Sequence, residues 1–370
     1  MSAITPIIMP KWGLSMKEGT VTSWLVDVGT DITVGMPILE VETDKIANAM
    51  EAPDAGLLRR RVAAEGDLLP VKALLGVMAD ASVTEAAIDA FIAAWVTPAA
   101  EEDSEQMASP YQFVTVEGIT VRYTQRGAQS GTPVLFIHGF GGDLDNWLFN
   151  IDALAEKYPV VALDLPGHGQ SEVALPGPRL QDLARFVGQF LQALNLSAVH
   201  VVGHSLGGAL GARLALDDPG RVQSLTLISS AGFGPEIDSG YIQGFIQARS
   251  RRDLKPVLER LFANQDLVSR AMVDNVLKYK RLDGVDALLA QLGEALFPQG
   301  VQQDQPGLAL AGTSHPLLLL WGQEDQVIPV AHASYAPPRA RVKLFEHTGH
   351  MAQMEQAAEV NRLILEHLAR

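Results

Sequence analysis

The stretch that decides the fold is VHVVGHSLGG, residues 199–208. Residues 199–202 predict a buried strand, and residues 203–207 have the spacing G-x-S-x-G. The two glycines permit a sharp strand-to-helix turn that holds the Ser205 hydroxyl out at the top of a sheet. Residues 210–216 are rich in Ala and Leu and predict the following helix, whose N-terminus favours developing negative charge. Because this spacing also occurs in ordinary glycine-rich turns, its meaning depends on the rest of the chain.

Composition limits the chemistry that is available. The chain has 370 residues, a formal net charge of −15 and no cysteine. Disulfides, thiolate metal sites and a cysteine nucleophile are therefore excluded, and no metal site is predicted. The acidic balance argues against nucleic acid or an anionic membrane as a partner. The sequence shows neither a long apolar segment nor a basic-then-apolar leader, so we expect a cytoplasmic protein.

The first 80 residues predict an all-β module, because short β-type segments alternate with glycines. Residues 40–53 read EVETDKIANAMEAP, in which two alternating strands flank the turn residues 43–45. An exposed turn would place Lys45 at the tip of a hairpin, although a lysine there is most often merely solvated.

This module resembles a lipoyl domain, in which a hairpin lysine preceded by Asp carries lipoic acid. Biotinyl domains have the same fold but usually have Met on both sides of the lysine, and Asp44 and Ile46 favour the lipoyl assignment. Two similar halves within residues 1–80 predict a small flattened barrel or sandwich, and the resemblance implies covalent lipoic acid on Lys45. The protein would present such a swinging arm, and the cofactor would supply its chemistry.

Residues 81–109 predict a linker. Residues 83–95 are apolar at helical spacing and predict one short helix, and residues 97–105 predict an acidic, flexible tether. No basic, glycine-rich segment resembling a subunit-binding domain is found there.

From Pro110 onward the pattern changes to strands alternating with helices, which predicts a mostly parallel sheet covered on both faces. Chemistry-bearing residues should then lie in the loops at the carboxyl ends of the strands. Such loops follow the predicted strands 134–137, 160–163, 199–202 and 317–321, and a further glycine-histidine motif stands near the end of the chain.

Together these motifs resemble the α/β-hydrolase family over residues 110–370. The resemblance implies that Ser205 is a nucleophile, that His350 is its base and that Asp325 orients the imidazole. The backbone N–H groups of Leu206 and Phe140 would form the oxyanion hole.

Each assignment has a rival. Glu324 stands beside Asp325 and is an alternative acid, and His347 could be mistaken for the base. His138 and His168 belong to loop motifs and are expected to hold loops by hydrogen bonds. The remaining histidines are expected to be structural or exposed: His200, His315, His332 and His367.

Residues 232–312 interrupt the sheet pattern with helical stretches and predict a cap over the site. Some of its apolar residues should line an acyl pocket, but the sequence does not say which.

The pairing of the two domains resembles the acetyltransferase (E2) components of bacterial acetoin dehydrogenase complexes. It implies acetyl transfer from S-acetyldihydrolipoyl-Lys45 to coenzyme A through an acyl-serine, as a dihydrolipoyllysine-residue acetyltransferase with a Ser-His-Asp triad. Implied partners are a thiamine-diphosphate-dependent E1 and a dihydrolipoyl dehydrogenase E3, and a homo-oligomer is expected. The H-x-x-x-D-G motif of ordinary dehydrogenase acyltransferases is absent from the sequence.

Two other functions stay open. A lipoyl-tethered hydrolase would use water as the acceptor, and acyl-enzyme formation is common to both reactions. A non-catalytic scaffold would present the arm alone, but it would have no physical need for a complete Ser205, Asp325 and His350 set.

Overall fold

The computed structural model describes residues 4–13, 16–44, 46–97 and 109–370 of the chain. These residues form two compact units, of which the first comprises residues up to Ser109 together with Ser269–Met272 and the second comprises Pro110–Val268 and Val273–Arg370. Lys45 and residues 98–108, which include most of the predicted acidic tether, lie outside the described residues, so the predictions made for them stay predictions.

The N-terminal unit consists of short antiparallel strands. In chain order they are β1 (Ile4–Ile8), β2 (Glu18–Trp24), β3 (Asp31–Ile32), β4 (Pro37–Glu42), β5 (Ala47–Glu51), β6 (Gly56–Arg61), β7 (Leu68–Pro70) and β8 (Leu74–Ala79). One sheet has the order β1-β8-β6-β3 and the other β5-β4-β2-β7. Apolar side chains from both sheets, among them Ile7, Val21, Ile38 and Leu58, are fully buried in one cluster. The predicted all-β sandwich is confirmed.

Strands β4 and β5 form the hairpin on which the lipoyl prediction depends. They pair in antiparallel register, with Glu42 opposite Ala47 next to the connection. Thr43 N–H donates to the Ile46 carbonyl oxygen at 2.7 Å, and Ile46 N–H donates to Thr43 Oγ1 at 3.0 Å. These bonds join the ends of the two strands, as the turn residues of the sequence predict.

Helix α1 (Glu85–Ala94) lies within the stretch where the sequence predicts a short helix. Thr84 caps its N-terminus, and Ile88 is fully buried against strand β8. Glu85 forms ion pairs with Arg59 at 2.6 Å and Arg60 at 2.7 Å on strand β6. Phe91 and Ile92 of α1 pack against the same cluster, so the helix is attached to the sheet by an apolar face and a charged edge.

The second unit is built around a sheet with the order β16-β15-β14-β13-β11-β12-β10-β9. Its strands are β9 (Gln112–Val116), β10 (Ile119–Gly127), β11 (Val134–Ile137), β12 (Pro159–Leu163), β13 (Val199–His204), β14 (Val222–Ile228), β15 (Leu317–Gly322) and β16 (Arg341–Phe345). Strands β9 and β10 pair antiparallel at one edge, and β11 to β16 run parallel. The predicted mostly parallel sheet is confirmed.

Strand β16 is absent from the sequence prediction. It is an edge strand in which Val342, Lys343 and Leu344 are exposed, so it lacks the continuous apolar run of the inner strands. An edge strand that faces water on one side gives a weaker sequence signal than a strand covered on both faces.

Helices connect the strands and cover the sheet. In chain order they are α2 (Ile151–Ala155), α3 (Leu180–Ala193), α4 (Leu206–Asp217), α5 (Ser239–Gln247), α6 (Arg251–Glu259), α7 (Arg270–Lys280), α8 (Val285–Leu296), α9 (Pro306–Ala309), α10 (Ala352–Glu355) and α11 (Ala357–Leu368). In α3 the apolar side chains Leu183, Phe186, Val187 and Phe190 are buried at helical spacing, which explains why the sequence predicts it well. No helix in the described part of the chain is long and apolar enough to cross a membrane.

Helices α5 to α8 stand between strands β14 and β15, where the sequence predicts a cap, and they are called the cap below. Helices α5 and α6 pack closely, because a Cβ atom on Gly244 would lie 2.8 Å from Val257 Cγ2. The buried face of α6 consists of Leu254, Val257 and Leu258. The cap is thus held together by its own apolar contacts.

Candidate active site

Ser205 occupies the turn between β13 and α4 with φ +53° and ψ −119°. A positive φ is uncommon for a residue with a side chain and costs backbone free energy. The Ser205 N–H donates to the Ile228 carbonyl oxygen at 3.0 Å, and its own carbonyl oxygen accepts from Gly208 N–H at 2.9 Å and Ala231 N–H at 3.1 Å. Strand β14 and helix α4 therefore hold the strained turn from both sides.

The glycines around Ser205 are required by close backbone contacts. A Cβ atom on Gly203 would lie 2.4 Å from the Gly207 carbonyl oxygen, and one on Gly207 would lie 2.0 Å from the Ile137 carbonyl oxygen. Both distances are far inside van der Waals contact with main-chain atoms that have little freedom to move. The G-x-S-x-G spacing thus follows from the tight packing of the turn on itself and against strand β11.

Asp325 and His350 form a buried pair at the ends of β15 and β16. Asp325 Oδ2 lies 2.8 Å from His350 Nδ1, and both side chains are almost fully buried. The other carboxylate oxygen, Oδ1, accepts from Val327 N–H at 2.8 Å and Ile328 N–H at 3.0 Å. The carboxylate is fixed by the backbone, so it fixes the imidazole orientation and leaves Nε2 as the ring nitrogen that can exchange a proton.

The rival residues have other contacts. Glu324 accepts from Thr348 N–H at 2.8 Å and His347 N–H at 3.2 Å, so its carboxylate holds the turn before His350. His347 is exposed and has φ +52° within that turn. The carboxylate that faces the His350 ring is that of Asp325.

The glycine-rich loop after β11 runs beside Ser205. A Cβ atom on Gly139 would lie 3.0 Å from Ser205 Cβ, so this loop passes the Ser205 turn at contact distance. The ring of Phe140 is buried between Phe245 and Phe297 of the cap and adjoining loop, at centroid distances of 6.0 and 6.2 Å. Leu206 is the first residue of α4, and the amide of a first helical residue has no acceptor within its own helix.

Each of the two units matches a known protein family. Residues 132–357 match the sequence model of the alpha/beta hydrolase fold, and residues 5–78 match that of the biotin-requiring enzymes, which covers biotinyl and lipoyl domains. A dihydrolipoyllysine-residue acetyltransferase component of the acetoin cleaving system from Cupriavidus necator is 60% identical, over 99% of this chain and 97% of the relative. Its counterpart from Pseudomonas putida is 45% identical over 99% and 98%.

The chain belongs to this family of acetyltransferase components.

The solved structure of a meta-cleavage product hydrolase from Pseudomonas fluorescens IP01 matches the second unit of this acetyltransferase component. It covers 70% of this chain and 97% of the hydrolase, with a TM-score of 0.64 and 24% identity. At that identity the likeness shows the fold alone, and it agrees with the predicted α/β-hydrolase architecture.

The position predicted to carry lipoic acid in this acetyltransferase component is Lys45, which lies outside the described residues. The described neighbours Thr43 and Ile46 bond across the β4–β5 connection, so a lysine between them is compatible with a carrier hairpin. Among the described residues, no group of three or more His, Asp or Glu side chains could hold a metal ion.

Three residues that sequence reasoning missed contact the loop of His350. His204 Nε2 lies 3.0 Å from the His350 carbonyl oxygen, and the two imidazole centroids are 4.6 Å apart. The Leu261 carbonyl oxygen, just after α6, accepts from His350 N–H at 2.8 Å. Glu355 accepts from Gly349 N–H at 2.7 Å. His204 stands inside the G-x-S-x-G motif and could have been suspected, whereas the other contacts involve backbone groups without a sequence signal.

Glu355 also joins this loop to the cap. Its Oε1 accepts from Ala263 N–H at 2.8 Å and Asn264 N–H at 3.2 Å, both in the segment after α6. With the Leu261 contact, this makes the segment after α6 a direct support of the His350 backbone.

A buried ion pair, also missed from the sequence, supports the glycine-rich loop. Arg122 Nε lies 2.6 Å from Asp164 Oδ2, and both side chains are buried. Asp164 Oδ1 also accepts from Leu144 N–H at 2.8 Å, at the far end of the loop that begins at His138. The loop beside Ser205 is therefore anchored at its end by the Asp164 carboxylate.

His138 and His168 hold loops by hydrogen bonds. His138 Nε2 accepts from Leu165 N–H at 2.9 Å, and His168 Nδ1 lies 3.1 Å from the Pro166 carbonyl oxygen. Burial lowers the pKa of His138 to about 4 and that of His168 to about 3. Both rings are therefore neutral at physiological pH.

The other predicted structural histidines also have local roles. His200 bonds to Ser224 Oγ at 2.8 Å, His315 to the Pro219 carbonyl oxygen at 3.1 Å, and His332 to Glu236 at 2.7 Å. Burial lowers the pKa of His367 to about 4.

Acid should destabilise the fold through His168. In the unfolded chain the pKa of His168 is about 6.5. Between pH 6.5 and 3 the unfolded state therefore binds a proton that the native state does not bind. The free energy of unfolding falls as pH falls through this range. From pH 7.5 to 5 this loss is about 2 kcal/mol. The His168→Gln variant should therefore lose about 2 kcal/mol less than the native protein over that range, as measured by urea unfolding.

The exposed His347 provides the matched control. His347→Gln should lose as much stability on acidification as the native protein. Equal losses in native protein and His168→Gln would contradict the assignment of a neutral, buried His168.

Proposed function

We propose that this protein transfers an acetyl group from S-acetyldihydrolipoyl-lysine to coenzyme A, through an acetyl ester of Ser205. The observation that carries the proposal is the buried Asp325–His350 pair, whose imidazole centroid lies 4.6 Å from that of His204, the residue directly before the strained Ser205 turn. The names of the 60% and 45% identical relatives give the acyl group and the donor.

Ser205 attacks the thioester carbonyl carbon while His350 Nε2 takes its proton. The Asp325 carboxylate stabilises the resulting imidazolium at Nδ1. When the carbon–sulfur bond breaks, His350 returns the proton to the departing sulfur and leaves acetyl-Ser205. His350 then takes the proton of the coenzyme A thiol, whose sulfur attacks the ester carbonyl, and returns it to the Ser205 oxygen.

The negative charge on the carbonyl oxygen would be met by the N–H groups of Leu206 and Phe140. Leu206 opens α4, so the helix dipole adds to its N–H group. Phe140 follows Gly139, which contacts Ser205 Cβ at the elbow. Donors fixed in advance to meet a developing oxyanion commonly contribute the largest electrostatic part of acyl-transfer catalysis.

Lipoic acid on Lys45 would supply the acyl thioester when it is bound, and the β4–β5 hairpin would present it. A thiamine-diphosphate-dependent E1 would then load the arm and a dihydrolipoyl dehydrogenase E3 would reoxidise it, in the cytoplasm. The relatives are named as components of an acetoin cleaving system, which supports a complex of several components.

Product analysis tests the proposal. The full-length protein is given S-acetyldihydrolipoamide and coenzyme A, and acetyl-CoA and free acetate are both measured. Acetyl-CoA is the expected product, formed in proportion to the donor consumed. Acetate alone, at a rate independent of coenzyme A, would identify a thioesterase and contradict the proposal.

A further inference from the structure

Positive charge is concentrated in one part of the cap. Residues 249–281 contain nine Lys and Arg but only four Asp and Glu, whereas the whole chain carries 28 basic and 43 acidic residues. A tenth of an acidic chain thus holds a third of its cations. Such local reversal of charge is typical of a surface that meets an anion.

Five of these residues form what we call the cap basic face: Arg249, Arg251, Arg252, Lys255 and Lys278. Arg251, Arg252 and Lys255 lie on the exposed side of α6, opposite its buried apolar side. Arg251 forms an ion pair with Asp274, which joins α6 to α7, and Lys278 lies one helical turn beyond Asp274. The two helices therefore present their cations on neighbouring surfaces.

The cations of this face exceed the acids that neutralise them. Arg251 pairs with Asp274, Arg249 with Asp286, and Lys255 lies 3.3 Å from Glu259. Within the described residues, Arg252 and Lys278 form no ion pair. Arg249, Arg251 and Lys255 keep more than half of their side-chain surface exposed. The face can bind a polyanion without first burying a charge.

The distance from this face to the candidate site is set by α6. The carbonyl oxygen of Leu261, just after this helix, contacts His350 N–H. Seven residue steps of α6 lead from Arg252 to Glu259, which at a helical rise of 1.5 Å is about 11 Å, and Leu261 follows two residues later.

A second line of contacts leads to the same face. Phe140 contacts Phe245 on α5, and the Lys280 ammonium lies 5.1 Å from the Phe245 ring centroid. Lys280 shares Asp286 with Arg249, which is a member of the cap basic face. Arg249 of the cap basic face is thus connected to the loop beside Ser205 by a short chain of side-chain contacts.

These distances fit coenzyme A, the proposed acceptor, with its thiol at the candidate site and its phosphates at the cap basic face. About thirteen bonds separate the sulfur of coenzyme A from its first phosphorus, and at the 3.3–3.6 Å that three backbone bonds span in an extended chain they reach about 15 Å. Beyond that arm lie a diphosphate and a 3′-phosphate. We propose that the cap basic face binds the phosphates of coenzyme A, with the pantetheine arm extending along α6 toward His350. This inference rests on the proposed function, because it takes coenzyme A to be the acceptor.

The test compares two acceptors that share the thiol arm. Acetyl transfer by the full-length protein is measured with coenzyme A and with pantetheine, which lacks the phosphates. In Arg252→Gln/Lys255→Gln, the ratio of kcat/KM for coenzyme A to kcat/KM for pantetheine should fall about tenfold, equivalent to about 1.4 kcal/mol. The same ratio should fall for the native protein as salt is raised, since exposed charges are screened. Adenosine 3′,5′-bisphosphate should bind the native protein and bind the double variant more weakly.

Lys157 and Lys343 are exposed cations outside the cap and supply the matched control. Lys157→Gln/Lys343→Gln should change the ratio by less than about twofold. If acetyl-CoA forms but both double variants keep the native ratio, the cap basic face is not the phosphate site. A raised KM for the acyl donor with an unaltered KM for coenzyme A would also contradict it. Release of acetate alone by the native protein would instead contradict the proposed function, and the phosphate site with it.

Discussion

Replacing Ser205 by alanine is expected to reduce acetyl-CoA formation by at least about a thousandfold, because removal of a triad nucleophile leaves only binding and oxyanion stabilisation. The side chain that is lost makes no capping bond to α4, and the turn is held by backbone hydrogen bonds. The variant should therefore fold and still bind the donor. Steady-state kinetics measure the loss of acetyl transfer, and thermal unfolding checks that the variant is folded.

The intermediate should also be seen directly. Native protein mixed with S-acetyldihydrolipoamide and no coenzyme A should accumulate acetate ester on the peptide that contains Ser205, detectable by mass spectrometry after rapid acid quench. Ser230 supplies a matched control, since its buried hydroxyl donates to the neighbouring Ala231 carbonyl oxygen. Ser230→Ala should keep the intermediate. Unchanged acetyl transfer by Ser205→Ala, or an acetyl ester on a different peptide, would exclude Ser205 as the reacting residue.

The sequence predicts most of this fold because the inner strands are continuous apolar runs. Strand β13 and the G-x-S-x-G turn that follows it are specified locally, since Gly203 and Gly207 have no room for a side chain. Strand β16 is not predicted, because at the sheet edge its side chains face water and no apolar pattern is imposed. Hydrophobic patterns reflect burial, so a strand such as β16, whose side chains are mostly exposed, gives too weak a pattern to be predicted.

Prediction of the site has a different limit. The sequence identifies Ser205, Asp325 and His350 as candidates by residue type and order. It does not identify Leu261, whose carbonyl oxygen supports His350, because any residue type offers the same backbone group. The role of Glu355 depends on three amides brought to it by two distant loops. Supports built from backbone groups are a property of the folded chain and leave no residue signature.

These supports bear on how the cap and the site act together. The segment after α6 contacts the His350 loop both through Leu261 and through Glu355. A cap that is displaced would therefore disturb the backbone of His350 as well as uncover the site. The position of the cap and the placement of His350 are physically linked.

Asp325→Asn is expected to lower kcat by about a thousandfold to ten-thousandfold, the effect of forcing a triad histidine into the wrong tautomer. The reason lies in the two oxygens of Asp325. Oδ1 accepts from Val327 and Ile328 N–H groups, so the asparagine oxygen would take that side and its NH₂ group would face His350. The ring would then have to accept at Nδ1 and carry its proton on Nε2, where the base must be free.

Glu324→Gln is the matched control because it removes the neighbouring charge. Glu324 bonds to the His347 and Thr348 amides, and a glutamine oxygen can still accept from one of them. We expect a loss of less than about tenfold, from a loosened turn and not from a wrong tautomer. The kcat values of both variants, with urea unfolding to separate instability from lost chemistry, decide between the two acids. If Glu324→Gln lowered kcat as much as Asp325→Asn does, the charge of Asp325 would not be what sets the protonation of His350. The turn before His350 would then be equally important.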